Sequence, residues 1–269
     1  MPSKRHSLAA WVACLPWLAG CAAGSAGTRT DVGRDLAPSG HLRAAINLGN
    51  PVLAQRDPAT GELRGASVDL ARELARRLGV PVDLVVYDAA GKVAEGARTG
   101  AWDVAFLAID PARAADIDFT APYVVIEGTY AVPAKSPLRA IEDVDREGVR
   151  VAVGTKSAYD LYLTRTLKRA TLVRAETSPA AIEMFLKDRL EAVAGVKQPL
   201  VRLAQSNPGV RVMEGRFMQI EQAMGTPKGR GGGARYLRGF VEEMKAGGFI
   251  SAALERSGQL DAAVAPPSR

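Results

Sequence analysis

The sequence predicts an α/β protein in which strands and helices alternate along the chain and form two lobes. Three observations predict this class. Short apolar runs alternate with amphipathic segments from residue 41 onward. Of the 269 residues, 47% are hydrophobic and 24% charged, which is enough apolar material for one large or two modest cores. Two extended β-rich runs, residues 124–132 and 217–224, are the candidate crossings between lobes.

The first half of the chain carries the strand and helix periodicities in turn. Apolar residues recur at helical spacing from Ser67, and Gly79 follows as a stop signal. A continuous apolar run ends in Asp110-Pro111, a good N-cap followed by proline at the first helical position. The predicted elements are strand 42–48, helix 67–78, strand 80–87, a weaker helix 89–98 and strand 104–109.

The second half repeats this alternation, which favours parallel strands joined by crossover helices. The tail has helical spacing at Leu237, Phe240, Val241 and Met244, and we expect it to pack back on the first lobe. The predicted elements are strand 149–153, a helix from Ser157, strand 172–173, helix 178–190, strand 192–196 and the helical tail 234–256.

The N-terminus has the features of an export signal. Lys4 and Arg5 precede an apolar stretch that is too short to span a bilayer comfortably. The stretch ends in Leu-Ala-Gly-Cys21, which resembles a lipobox, so residues 1–20 are the predicted signal peptide and Cys21 the lipidated N-terminus. Ordinary cleavage in the small-residue run that follows is the alternative. Residues 21–40 are predicted to be a flexible tether.

Histidine and cysteine counts exclude several kinds of chemistry. The chain has two histidines and two cysteines, and His6 and Cys14 fall in the predicted signal. Almost no candidates remain for a catalytic triad, a paired-histidine metal site or a cysteine-ligated zinc. We therefore expect no metal, cofactor or catalytic residue. The net charge of +6 is scattered, so we expect a monomer that does not bind nucleic acid.

Three segments in order resemble bacterial extracellular solute-binding protein family 3, the polar-amino-acid binders of ABC importers. They are residues 65–79 (GASVDLARELARRLG), 102–113 (WDVAFLAIDPAR) and 117–123 (IDFTAPY). The resemblance implies a two-lobe type II periplasmic-binding-protein fold with two linker strands and a ligand cleft between the lobes. With the two crossings as boundaries, residues 41–131 and 225–260 form lobe 1 and residues 132–224 form lobe 2.

The resemblance also implies a binding site for a carboxylate. Arg113 stands where the family places an arginine that holds the α-carboxylate of an amino acid, and its guanidinium can bind both oxygens. Ser157, at the start of a helix of lobe 2, either grips the same carboxylate or is a plain N-cap. Further candidates for the cleft are Ala108, Tyr123, Asn47 and Asn50, although an aromatic at position 123 is as often buried packing.

One departure from the family leaves the ligand class open. The family's acidic partner for an α-ammonium follows the segment corresponding to 189–193, where this chain reads Ala-Gly-Val-Lys197-Gln. A neutral or basic residue cannot neutralise an ammonium in a dry cleft. Either Asp110 supplies the negative charge, or the ligand lacks the ammonium and carries an extra anionic group that Lys197 meets. Asp110 also has the simpler interpretation of an N-cap.

The expected function is that of a substrate-binding protein on the periplasmic side of the cell envelope, anchored to a membrane by lipid. It would capture an amino acid or related small carboxylate by hinge closure and present it to an ABC permease in the inner membrane. A cyclohexadienyl dehydratase-like enzyme is an alternative, because that activity occurs on the same fold. A ligand-sensing module with a separate partner is another.

Overall fold

The computed structural model of the chain describes residue 1 and residues 31–268. Residues 2–20 of the predicted signal peptide and Cys21 lie outside the described residues. In the described part of the chain, no helix is both long and apolar enough to cross a membrane.

The described elements alternate as predicted. The strands are β1 (Leu42–Asn47), β2 (Gln55–Arg56), β3 (Leu63–Arg64), β4 (Val82–Tyr87), β5 (Val104–Ala108), β6 (Ile117–Pro133), β7 (Arg150–Gly154), β8 (Thr171–Ala175), β9 (Ala192–Val196), β10 (Val210–Val212), β11 (Met218–Pro227) and β12 (Ala263–Val264). The helices are α1 (31–36), α2 (Ala66–Leu78), α3 (Ala90–Thr99), α4 (Pro111–Ala114), α5 (Ala158–Thr166), α6 (Ser178–Lys187), α7 (Lys197–Ser206), α8 (Gly231–Ala246) and α9 (Phe249–Arg256), with a 3₁₀ turn at Ile141–Val144.

Lobe 1 is built on the strand order β4-β1-β5-β11-β6. Strands β4, β1 and β5 are parallel, and β11 runs antiparallel to β5. Every residue of β5 is buried, as its continuous apolar run predicted. The C-terminal helix α8 packs on β6 and β11, so the tail does return to this lobe.

Lobe 2 continues the same sheet in the order β6-β9-β7-β8. Strands β9, β7 and β8 are parallel, whereas β6 runs antiparallel to β9. A smaller apolar cluster around Phe185, Val193 and Leu200 fills the space between this sheet and its helices. Both lobes therefore have the crossover arrangement that the sequence predicted.

The two long strands β6 and β11 connect the lobes. The first part of β6 pairs with β11, and from Gly128 to Ala131 it pairs with β9 of lobe 2. Strand β11 already pairs with β5 of lobe 1 from Gln222. The strands thus change partners a few residues before the boundaries expected at 132 and 225. Each crossing is a continuous strand, so the boundary is not a single turn.

The start of the described chain differs from the expected tether. Residues 31–36 are helical, and Leu36 is fully buried. This short helix packs against α8, where a side chain on Gly233 would lie 2.7 Å from Leu36 Cδ2. The Asp35 carboxylate also accepts a hydrogen bond from the Gly233 amide at 2.8 Å. The tether prediction is therefore wrong for residues 31–36. They dock on α8, where the absence of a side chain at Gly233 lets the short helix pack closely.

Candidate ligand-binding cleft

A cavity of about 40 Å³ lies between the lobes. Its lining comes from three places, because loops of both lobes converge on the linker strand β11. Lobe 1 contributes Asn47, Asn50, Ala108 and Arg113, lobe 2 contributes Ser157, Tyr159 and Ser178, and β11 contributes Ile220 and Gln222. Four of these, Asn47, Ala108, Arg113 and Ser157, were among the predicted site residues, and Asn50 was a further candidate; their contact with a ligand stays a prediction.

Arg113 is the charged side chain of this cavity. It lies in α4 directly after β5 and is only 4% exposed. Its Nη1 donates to the Ala108 carbonyl and its Nη2 to the Lys156 carbonyl, each at 2.9 Å. Burial lowers the pKa of Arg113 to about 10, although the nearby Asp110 carboxylate opposes that shift. A guanidinium has five N–H donors, so several remain for an anion.

The turn before α5 brings lobe 2 onto Arg113. Lys156 has a φ of 56°, a left-handed conformation that is uncommon outside glycine. Its amide donates to the Asp160 carboxylate at 2.7 Å, and its carbonyl accepts from Arg113 across the cleft. Ser157 lines the cavity and also caps α5, since its Oγ accepts from the Asp160 amide at 3.1 Å. Both interpretations of Ser157 are thus compatible with its position.

Asp110 lies beside the cavity but does not line it. Its carboxylate accepts from the Ala112 amide at 2.9 Å, so it is the N-cap of α4. It also pairs with Arg165 of lobe 2 at 2.8 Å. In this structure a side chain 55 residues away along the sequence thus pairs with Asp110, and contact of Asp110 with a ligand ammonium stays a prediction.

Lys197 lies outside the cleft as well. Its Nζ pairs with the Glu127 carboxylate at 2.8 Å, and Glu127 also pairs with Arg216 at 2.7 Å. These residues line a separate pocket of about 650 Å³ beside the linker strands. The chain turns into α7 at Lys197 and directs its side chain to that pocket, and contact of Lys197 with an anionic ligand group stays a prediction.

Tyr123 belongs to the core of lobe 1. It is fully buried, its hydroxyl lies 3.0 Å from Ser67 Oγ, and its ring meets the edge of Phe106. It does not line the cavity, which agrees with the buried-packing interpretation, and its contact with a ligand stays a prediction. Asn47 and Asn50 do line the cavity, and each side-chain oxygen accepts from the backbone of its own loop.

Sequence reasoning missed Gln222, Tyr159 and Ser178. Gln222 is 6% exposed and faces the cavity from β11, next to a register irregularity between Gln222 and Ala223. Within the described residues its side-chain amide makes no hydrogen bond. Tyr159 donates its hydroxyl hydrogen bond to Ser178 Oγ. The local sequence carried no distinctive signal for Gln222, because β11 also contains Gln219 and Glu221.

The cavity is electrostatically simple. Among the described residues that line it, Arg113 is charged and none is acidic. The remaining polar groups are amides and hydroxyls. No group of three histidine, cysteine, aspartate or glutamate side chains within the described ranges could hold a metal ion. The site thus combines one buried cation with neutral hydrogen-bonding groups, which suits a small anion with a polar substituent.

Two lobes joined by paired linker strands, with a buried arginine in the cleft between them, define a periplasmic-binding-protein fold. The family comparison agrees: residues 42–259 match the model of bacterial extracellular solute-binding proteins, family 3. The chain belongs to this family, and its predicted fold is confirmed. No curated protein sequence matches the chain.

Solved structures share the fold at low sequence identity. The solute receptor for L-cysteine of Neisseria gonorrhoeae is 24% identical, with a TM-score of 0.72 over 82% of this chain and 90% of that chain. An amino acid ABC transporter substrate-binding protein from Streptococcus pneumoniae, bound to L-arginine, is 17% identical, with a TM-score of 0.73 over 84% and 97%. The ancestral amino acid-binding protein described as a precursor of cyclohexadienyl dehydratase is 22% identical, with a TM-score of 0.69 over 81% and 94%.

Proposed function

We propose that this chain is the substrate-binding protein of an ABC importer and captures an amino acid or related small carboxylate. The observation that carries the proposal is Arg113, a buried guanidinium in the cleft whose described partners are two backbone carbonyls. A buried cation is strongly stabilised by a charged, hydrogen-bonded anion. Family membership and the ligands of the solved relatives support the same function.

Capture occurs by hinge closure about β6 and β11. In the open form the Lys156 carbonyl of lobe 2 is withdrawn from Arg113, and the ligand carboxylate binds the guanidinium N–H groups that are then free. Lobe 2 then closes so that the turn at Lys156 and Ser157 covers the ligand. Contacts from both lobes exist only in the closed form, so the ligand shifts the population toward it.

Ion pairs across the rim support the closed form. Arg165 of lobe 2 meets Asp110 of lobe 1, and the Lys156 ammonium meets Glu95 at 2.6 Å. The closed surface is then the one that the permease recognises in the inner membrane. A lipid on Cys21 would hold the protein at the membrane on the periplasmic side.

The cleft does not favour the dehydratase alternative. Loss of a hydroxyl group in such a reaction needs a proton donor at the leaving oxygen. The described lining of the cavity contains no carboxylic acid and no histidine. Gln222 and Asn47 face the cavity with neutral side-chain amides. These amides can hold a ligand by hydrogen bonds but do not donate a proton to a leaving group.

The test is a comparison of Arg113→Ala with Arg98→Ala. Arg98 is a matched arginine on the surface of lobe 1, where it pairs with Asp116 and is 71% exposed. We expect calorimetric titration with a panel of small carboxylates to show binding to the parent chain and to Arg98→Ala, and none to Arg113→Ala. Circular dichroism checks that all three chains are folded. Retained affinity in folded Arg113→Ala would remove the carboxylate site from the cleft.

A further inference from the structure

The charge of the cleft constrains what a bound carboxylate can carry with it. Arg113 and one carboxylate form a neutral pair, and none of the described residues that line the cavity is acidic. An α-ammonium on the ligand would therefore add a positive charge with no partner. Burial already disfavours the charged form of Arg113, whose pKa it lowers to about 10. A second buried cation would meet the same desolvation cost.

Two buried acidic side chains next to the cleft already have partners. Asp110 binds Arg165 and the amide of its own helix. Asp160, behind the turn of lobe 2, pairs with Arg174 at 2.9 Å and accepts the Lys156 amide. Both carboxylates are buried and direct their oxygens at protein donors, so neither is available to neutralise a ligand ammonium.

The cleft also lacks a second cation for a ligand with two anionic groups. Lys197, the candidate for that role, is bound to Glu127 in the pocket beside the linker strands. Within the described lining, Arg113 is the charged group. A single carboxylate therefore matches the cleft better than a dicarboxylate does.

Neutral groups are positioned for the rest of the ligand. The Gln222 amide is buried, faces the cavity and makes no hydrogen bond with other described residues. An amide offers both donors and acceptors, so it can bind a hydroxyl or a keto oxygen equally well. The cavity of about 40 Å³ holds roughly three water molecules, which favours a short carbon skeleton in the closed form.

We propose that the ligand is a small monocarboxylate with a neutral oxygen substituent, such as a 2-hydroxy or 2-oxo acid, and without an ammonium. Arg113 binds the carboxylate and Gln222 binds the substituent. This inference rests on the proposed function. It narrows the ligand from amino acids and related carboxylates to carboxylates that lack an ammonium group.

The experiment titrates the full chain at pH 7 with matched series that differ in the 2-substituent. Lactate, pyruvate and alanine form one series, and 2-hydroxyisovalerate, 2-oxoisovalerate and valine form a longer one. We expect a hydroxy or oxo acid to bind at least tenfold more tightly than the amino acid of the same skeleton, and Arg113→Ala to abolish that binding.

A substitution on the linker strand tests the charge argument directly. Gln222→Glu keeps the side-chain shape and introduces the missing carboxylate. We expect it to weaken binding of the hydroxy or oxo acid at least tenfold and to create binding of the matching amino acid. Gln219→Glu is the control, because Gln219 lies on the same strand but is exposed outside the cavity. It should leave the preference of the parent chain unchanged.

The outcomes separate the two proposals. Arg113-dependent binding of alanine or valine that equals or exceeds binding of the hydroxy and oxo acids overturns this inference and leaves the proposed function standing. Absence of Arg113-dependent binding by every carboxylate in both series also overturns this inference, whereas the proposed function is overturned only if the wider panel of amino acids and small carboxylates shows no Arg113-dependent binding either. A preference for hydroxy or oxo acids that Gln222→Glu reverses supports both.

Discussion

The ion pair between Arg165 and Asp110 predicts how strongly the lobes hold together. The Asp110 side chain is 5% exposed and that of Arg165 is 47% exposed. Arg165→Gln removes the positive charge and keeps most of the side-chain length. In the closed form the Asp110 carboxylate then keeps only the hydrogen bond from the Ala112 amide among its described side-chain and backbone partners. In the open form water can solvate it, so we expect the variant to favour opening.

The free energy lost with this ion pair can be worked out from the solvent exposure of Arg165 and Asp110. Loss of one partner from a fully buried pair costs about 3–5 kcal/mol, whereas exposed pairs contribute about 0–1 kcal/mol. Asp110 is buried but Arg165 is half exposed, which gives about 1–2 kcal/mol for this pair. The ratio of closed to open molecules should fall by about 5- to 30-fold. Ligand affinity should fall by up to the same factor.

Calorimetry with the tightest carboxylate of the panel measures the affinity, and small-angle X-ray scattering without ligand measures the radius of gyration. Lys92→Gln is the matched control, because it removes the same charge from a cross-cleft pair with Glu176. That pair is exposed on both sides, with side chains 43% and 73% exposed, so its loss should lower the affinity much less than Arg165→Gln does. Equal effects of the two substitutions would refute the role assigned to Arg165.

Three further predictions concern closure, stability and anchoring. Gly91→Val should enlarge the radius of gyration and weaken ligand binding at least tenfold without unfolding the chain, because a Cβ at Gly91 would lie 2.7 Å from Lys156 Cβ across the cleft. An unchanged radius by X-ray scattering would contradict this. Asp103→Asn should lower the free energy of unfolding by about 2–3 kcal/mol in urea titrations at pH 7, because its buried carboxylate binds two arginines. Burial alone would raise the pKa of Asp103, but the arginine hydrogen bonds outweigh it and lower the pKa below its usual value. The ionised carboxylate therefore stabilises the fold above about pH 4, and the difference from the variant should shrink as the pH falls below that value; a constant difference would contradict this. Cys21→Ser should move the protein from the membrane to the soluble fraction, and unchanged fractionation would count against lipidation.

The order of strands and helices could be predicted because it rests on local patterns. Apolar periodicity and the Asp110-Pro111 start signal are properties of neighbouring residues, and the structure contains each of those elements. Arg113 was placed in the cleft by its position in the family motif, and it does line the cavity; its contact with a ligand stays a prediction. The helix at residues 31–36 could not be predicted in the same way, because its apolar surface is covered by α8, nearly 200 residues later.

The ion-pair partners of two charged candidates could not be predicted from the sequence for the same physical reason. Asp110 and Lys197 were chosen for their charge, but the partners that occupy them are Arg165 and Glu127, 55 and 70 residues away. Nothing in the local sequence reveals such pairing. Gln222 was missed because contact with the cavity depends on how β11 crosses between the lobes. Spacing along the chain identifies elements, whereas the charge state of a cleft depends on which elements meet.

The position of Gln222 has a consequence for how this protein can change. The same strand connects the lobes and forms the floor of the cavity, and its pairing is irregular between Gln222 and Ala223. Such irregularities bend a strand and increase its local twist. A substitution here therefore alters what the cavity recognises and how readily the connection flexes, in one step. We therefore expect variants at this position, Gln222→Glu among them, to change the energy of lobe motion together with the ligand preference.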